Sequence, residues 1–434
     1  MLGYVSKFLL GVMMSFYFFP AEFTFLPGHN TKKLMAVFGL VVWGFNLIRK
    51  RTFTVASDIF MVTVYALIVS LVGVFSIVYN NTPDTTYATY VVSMWVWLSA
   101  AYAVVEMIKA HHGTVSVELV GKYLVWVCVV QCLLALAIDS NAVVQSYVDR
   151  YFTTGHYMRE IDRLYGIGCS LDVAGSRFSA ALAIIAVYMI KRSDMISKFT
   201  MIVYIVAFLI IGIVGNMIAR TTTVGLVLGL ALLIYKAISY KVGGAHQRLL
   251  RWIIGISVIA IPVVIYQYNT DAQFKENIRF AFEGFFSLVE TGEWEVHSND
   301  RLKSMIVFPD NAKTWIIGDG YFEGPSNIDP YYVGKPMTGF YMWTDIGYLR
   351  FIFYFGLIGL FAFILFIYKC AQICSDKFPE YKTLFWLLVI INYVVWFKVA
   401  TDIFLVFALF LSIDKEDNDE YEEMMDEEAA EIEG

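Results

Sequence analysis

The sequence predicts an all-α polytopic membrane protein with about twelve transmembrane helices and a large external loop between the ninth and tenth. Three observations carry that expectation. Of the 434 residues, 59% are hydrophobic and only 16% charged, against roughly 25% charged in ordinary soluble domains. The apolar residues fall in runs long enough to cross a hydrocarbon layer, which takes about 20 residues of helix. Finally, Lys and Arg are shared unevenly between alternate loops, as expected when positive loops stay in the cytoplasm.

The first run, residues 5–25, has no basic leader beyond Lys7 and no small-residue cleavage site after Phe18 to Phe25. It is therefore expected to stay as a helix and not to act as a cleavable signal peptide. Residues 34–48, 58–79, 87–108 and 118–138 follow, then 172–190, 199–219, 221–240 and 251–268, and after a long polar gap 346–368. Residues 383–397 and 399–413 complete the count. These last two read alternatively as one long helix interrupted by Lys398 and Asp402, which would carry the C-terminus across the membrane.

With the N-terminus inside, alternate loops hold Arg49, Lys50 and Arg51; Lys109; Lys191, Arg192 and Lys198; Lys236, Lys241, Arg248 and Arg251; and Lys369, Lys377 and Lys382, 14 positive charges in all. The opposite loops hold Lys32 and Lys33, none over Asn80 to Thr86, and Arg150, Arg159 and Arg163. That assigns two long segments, residues 139–171 and 269–345, to the outside. Loops of such length usually carry function. In the second, Phe274, Ile278, Phe282, Phe285 and Leu288 or Val289 recur at helical spacing with Lys275, Glu276, Arg279 and Glu283 between them. This predicts an amphipathic helix, either lying on the membrane or packed on the other spans.

The formal charge of −6 belongs to the end of the chain: residues 414–434 hold 12 acidic side chains and one Lys, a net −11, which leaves +5 for the rest. Such a tail is expected to be disordered and, with twelve spans, cytoplasmic. Aromatics at 17% suit both membrane interfaces and stacking on sugar rings. Cys128 with Cys132, Cys370 with Cys374, and Cys169 lie in or beside apolar runs and are expected to pack, not to form a disulfide framework. The six His residues show no zinc-ligand spacing, so no metal is expected. Neither a Walker A loop nor a dinucleotide-binding glycine pattern occurs, so chemistry must draw on an already activated substrate, with no cofactor and no nucleic acid.

Charges within apolar segments ask for a partner or a task. Arg177 follows Val173-Ala-Gly-Ser176, Arg220 lies in Gly215-Asn-Met-Ile-Ala-Arg220, Arg301 ends Ser298-Asn-Asp-Arg301, and Arg350 ends Trp343-Thr-Asp-Ile-Gly-Tyr-Leu-Arg350. All four fall on the external side or within the outer half of the membrane. The guanidinium fork matches phosphate oxygens, so together they imply an anionic external ligand; alternatively each pairs with a carboxylate, Arg350 with Asp345 or Arg177 with Asp172. Candidate bases are Asp172, Asp300, Asp310, Asp319 and Asp345. Asp345 is placed best, where the large loop re-enters the membrane, unless it serves as a helix cap or as the partner of Arg350. Tyr321, Phe322, Tyr331, Tyr332, Phe340, Tyr341 and Trp343 are candidates for a sugar groove or for interfacial anchors.

Three stretches resemble the Wzy polymerase and O-antigen ligase superfamily. Arg163-Leu-Tyr-Gly166 with Asp172 and Ala174 resembles the R-x-x-G element that runs into a span. Ala219-Arg-Thr221 resembles the S-R-T element, with Ala for Ser. Tyr348-Leu349 and Tyr354-Phe-Gly-Leu-Ile-Gly-Leu360 resemble the segment after the large loop, preceded by Arg301 and Gly318-Asp-Gly320. Ligases of this superfamily open that last segment with a His, whereas here Asp345 stands near it, which favours a polymerase.

The resemblance covers about residues 160–360, within a transmembrane domain at 1–413. It implies metal-independent transfer of a glycan from undecaprenyl diphosphate to the terminal sugar of another lipid-linked repeat, at the periplasmic face of a bacterial inner membrane. Arg220, Arg301 and Asp345 would be catalytic, and Arg163, Arg177, Asp300, Tyr348 and Arg350 would touch substrate. A chain-length regulator and a flippase are the implied protein partners. The competing expectations are a glycan ligase and a lipid-linked oligosaccharide transporter; the long loop and the absence of an evident repeat speak against the transporter.

Overall fold

The computed structural model describes residues 2–50, 56–161, 163–192, 197–239, 255, 258 and 261–433. Among them the chain is helical, with isolated β-bridges and no strands. The first ten helices are α1 (Leu2–Phe18), α2 (Thr31–Lys50), α3 (Ser57–Asn80), α4 (Tyr90–His112), α5 (Val117–Ser140), α6 (Ala142–Tyr151), α7 (Thr154–Glu160), α8 (Leu171–Lys191), α9 (Lys198–Ile218) and α10 (Thr222–Ser239). Among the described residues eight helices are long and apolar enough to cross a membrane: α2 to α5, α8 to α10 and the later Gly347–Lys377 helix. This is the make-up of a polytopic membrane protein. The predicted ninth span, residues 251–268, lies mostly outside the described residues, and 261–270 are helical.

The final apolar region forms neither two full spans nor one long helix. Its helices are Lys382–Val395, of 14 residues, and Phe404–Leu411, of 8, about 21 and 12 Å at 1.5 Å per residue against a hydrocarbon layer of about 30 Å. Polar side chains hold the turn between them. Asn392 Oδ1 accepts from the Ile403 amide at 3.0 Å, Asp402 Oδ1 from the Phe404 amide at 2.9 Å, and the Trp396 indole donates to the Thr401 carbonyl at 2.6 Å.

The chain divides into two compact units, residues 1–40, 100–292 and 412–434, and residues 41–99 and 293–411. In the first, α8 is the buried axis, with nearly every residue from Ala174 to Met189 shielded. Small residues let its neighbours come close: a Cβ on Gly225 of α10 would lie 2.2 Å from Ser179 Cα, the close approach that small residues permit between membrane helices.

At one end of this unit Ser6 Oγ meets His111 Nδ1 at 3.1 Å, and the acidic tail docks there. Composition predicts disorder, but Lys415–Glu433 is a helix. Its charges have partners that composition cannot reveal: Asp417 pairs with Lys109 at 2.6 Å, and Glu422 with Lys191 at 2.9 Å and Arg192 at 2.5 Å. Asn418 Oδ1 also accepts from the Val117 amide, at 3.1 Å. The chain start, the α4–α5 turn, the end of α8 and the tail therefore share one face.

At the other end lie α6, α7 and the beginning of the large loop. The expected amphipathic helix is broken at Phe282 into Ala272–Ala281 and Glu283–Thr291. The first part buries Ile278 and Ala281, whereas the second leaves Phe285, Leu288 and Val289 exposed.

The second unit is organised by the 31-residue Gly347–Lys377 helix, which is broken at Phe355 and Gly356; Gly356 has φ 68°. A break in an apolar helix frees backbone carbonyls that must find donors. Ser76 Oγ and the Gly320 amide donate to the Tyr354 carbonyl at 2.6 and 3.0 Å, and the Asp319 amide to Phe353 at 2.6 Å. Asn80 Nδ2 and Thr82 Oγ1 in turn hold the Gly318 and Gly320 carbonyls at 3.1 and 2.8 Å.

Candidate functional site

Two arginine clusters emerge, one in each unit. In the first, the Arg163 and Arg220 guanidinium carbons both lie 3.9 Å from the centre of the Phe280 ring. Arg220 occupies the short link between α9 and α10, and Arg163 the loop after α7. Arg220 Nε donates to the Phe280 carbonyl at 2.9 Å, and Nη2 pairs with Glu283 at 2.6 Å. Asp172, at the start of α8, accepts from Thr221 Oγ1 at 3.0 Å. Gly175 makes this approach possible, since a Cβ there would stand 2.0 Å from Thr221 Oγ1.

Burial pushes both guanidinium groups below the ordinary arginine value. For Arg220 the neighbouring Arg163 adds to this, while Glu283 and Asp172 oppose it. The Phe280 face supplies partial compensation through its quadrupole.

The Ala272–Ala281 helix separates two cavities, one of them lined by Arg163. Gln273 and Asn277 line a small polar cavity of about 90 Å³ with Arg159 and Arg163. Ile278 lines an apolar groove of about 480 Å³ with Leu209, Ile213, Phe282, Phe286 and Val289. Polar and apolar spaces thus flank one helix that also carries the arginine-stacked ring. Arg177 is buried on α8 with its guanidinium 5.7 Å from the Phe19 ring.

No protein-family model, no curated protein and no solved structure matches this chain. Among the described residues no group of three or more His, Cys, Asp or Glu is placed to hold a metal ion.

In the second unit Arg350 is buried between rings, its guanidinium carbon 3.6 Å from the centre of Phe322 and 4.1 Å from that of Phe340. It pairs with Glu323 at 2.8 Å and Asp345 at 3.6 Å. The segment that holds it is fixed by the buried Asp84, which accepts from the Phe322 and Glu323 amides at 2.7 and 3.2 Å.

Arg301 and Asp300 are exposed on the His297–Ser304 helix, where Asp300 pairs with Lys303 at 3.0 Å. The adjoining Leu302 packs against Ile346, Leu349 and Phe353, which seats this helix beside the segment that carries Asp345. The Tyr348 hydroxyl donates to the Tyr393 carbonyl at 2.9 Å and its ring packs on Trp396 and Phe397. Asp319 is engaged by Lys313 and Thr314, both at 2.7 Å, and Asp310 Oδ1 accepts from Asn311.

Of the aromatic candidates, Tyr321 and Tyr341 pack together with their hydroxyls directed to Asp329 and Asp319. Burial first, and those carboxylates second, push both phenols up, so they remain donors at neutral pH. Tyr331 and Trp343 are exposed.

The first unit thus brings Arg163, Asp172, Arg220 and Thr221 together, and the second joins Arg350 to Asp345. Phe280, Glu283, Glu323 and Asp84 are the residues that sequence reasoning passed over as site residues.

Proposed function

We propose that this chain polymerises oligosaccharide repeat units carried on undecaprenyl diphosphate, at the periplasmic face of a bacterial inner membrane. The observation that carries the reading is the pairing of Arg163 and Arg220 on Phe280, with a polar cavity and an apolar groove on either side of the same helix. A lipid diphosphate needs all three: guanidinium forks for the phosphates, polar space for the sugar and apolar surface for the chain. Glu283 occupies one side of the Arg220 fork, and the diphosphate takes its place.

The acceptor hydroxyl attacks the anomeric carbon of the donor, the bond from that carbon to the diphosphate oxygen breaks, and the electron pair leaves with the diphosphate. The hydroxyl proton passes to a carboxylate. Arg220 and Arg163 stabilise the negative charge that develops on the leaving group. Donors preorganised for such charge are worth about a hundredfold or more in rate apiece.

We also infer an even number of crossings with both ends in the cytoplasm. The chain start and the tail share one face of the first unit, which requires an even count.

The test is a gene deletion in the host, complemented by wild type or Arg220→Ala, with surface glycans separated by size. The reading expects a ladder of chain lengths with wild type alone and single repeats with the variant. Long lipid-linked polymer stranded in the deletion strain would make the chain a ligase instead, and repeats trapped on the cytoplasmic side would make it a transporter.

A further inference from the structure

A second groove, of about 690 Å³, lies between α1 and α5 in the first unit, apart from the arginine pair. Its walls are apolar, and along α5 they run from Leu119 to Leu134, fifteen residue steps or about 22 Å. That is most of the depth of a hydrocarbon layer of about 30 Å. Gly11 opens its middle, since a Cβ there would meet nothing within 4 Å. Gln131 bonds Ser15 Oγ and the Ile167 carbonyl, at 2.9 and 3.0 Å, toward the far end.

The near end is basic. Lys7, His112 and Lys122 line it, and no Asp or Glu is among the lining residues. Lys122 is partly neutralised by Glu118 at 2.8 Å, and His112 shares a hydrogen bond of 2.9 Å with Tyr123. This end lies on the face where Ser6 meets His111 and the tail docks, opposite to the end that holds Arg163 and Arg220.

We propose that the α1–α5 groove is a binding site for an anionic glycerophospholipid, with an acyl chain along Gly11 and Trp126 and its phosphate beside Lys7 and His112. An apolar channel of hydrocarbon depth fits a chain, and the ammonium groups of Lys7 and Lys122 at its rim, the second shared with Glu118, favour a negative head group. The head group sits at the end away from the arginine pair, so the occupant is a lipid of the leaflet on the tail side and not the substrate carrier.

The experiment is native mass spectrometry of the purified full-length protein, with phosphatidylglycerol or phosphatidylcholine added at equal concentration. One retained phosphatidylglycerol is expected, bound at least about fivefold more tightly than phosphatidylcholine, as one cation near a head group provides. Gly11→Phe, which fills open space, should weaken it at least about tenfold. Lys7→Ala with His112→Ala should erase the preference between the two lipids. If Gly11→Phe is not monodisperse, Val130→Trp, at a half-exposed wall position, serves the same purpose. Equal retention of both lipids by wild type, or unchanged binding in the filled variants, would overturn the proposal. Displacement of phosphatidylglycerol by lower concentrations of undecaprenyl phosphate would also overturn it, by making the site one for isoprenoid lipids.

Discussion

Phe280 shows how much of a site can rest on a residue that carries no charge. Its ring and its carbonyl both engage Arg220, and its ring also engages Arg163. Phe280→Ala is expected to leave the fold intact and to lower polymer formation by about tenfold, because stacking of this kind is worth on the order of 1–2 kcal/mol where water is excluded. Arg220→Lys should recover little activity, since an ammonium keeps the charge but not the fork. Glu283→Gln is expected to act in the opposite direction on binding: without the competing carboxylate, a polyprenyl diphosphate should bind several-fold more tightly, as measured by competition against a fluorescent analogue. Unchanged binding would mean that Glu283 and the ligand do not compete. The arginines were legible because a charge between two apolar runs stands out in the sequence. Phe280 and Glu283 were not, since they lie sixty residues further along in what reads as an ordinary amphipathic helix.

At the scale of elements, the broken Gly347–Lys377 helix illustrates a feature hidden by continuity. Its residues are apolar throughout the break, so hydropathy reads one uninterrupted span. The break depends on Gly356, where a Cβ would lie 2.1 Å from the Ile316 carbonyl oxygen and φ is positive. Gly356→Ala should therefore cost more than about 3 kcal/mol, from backbone strain together with a clash that backbone atoms cannot relieve. Thermal unfolding in detergent would show it, and a melting point equal to wild type would refute this account of the break.

The tail helix gives the complementary case. Twelve acidic residues in a row of twenty-one read as a self-repelling coil, because their partners, Lys109, Lys191 and Arg192, are more than two hundred residues away. Arg192 also pairs with the buried Glu118 at 2.9 Å. Arg192→Ala is expected to destabilise by about 3 kcal/mol, the lower end for breaking a buried pair, because Lys122 still faces Glu118. Glu118→Leu combined with Arg192→Leu should recover part of that loss.

For the whole molecule, the fold class was legible and the path through the last spans was not. Among the described residues eight long apolar helices follow the predicted runs closely, since apolar length is what a membrane selects. The final region departs because Asn392 and Asp402 cap a turn that competes with a continuous helix. The shared face of the first unit gives a topological prediction that uses the burial of all five native cysteines. New cysteines at Asp419 and Gly113 should be labelled by a membrane-impermeant maleimide from one side, and one at Val143 from the other. Labelling of Asp419 and Val143 from the same side would contradict the assignment.

The central claim is that Arg220 promotes departure of a lipid diphosphate during chain growth. Its most direct test is the purified protein reconstituted in vesicles with an undecaprenyl diphosphate-linked repeat, following product length and released undecaprenyl diphosphate together. Wild type should give products of many repeats with one carrier released per bond formed, and Arg220→Ala should lose both by a hundredfold or more while still folding. Carrier release without lengthened glycan, or undiminished lengthening by the variant, would contradict the account.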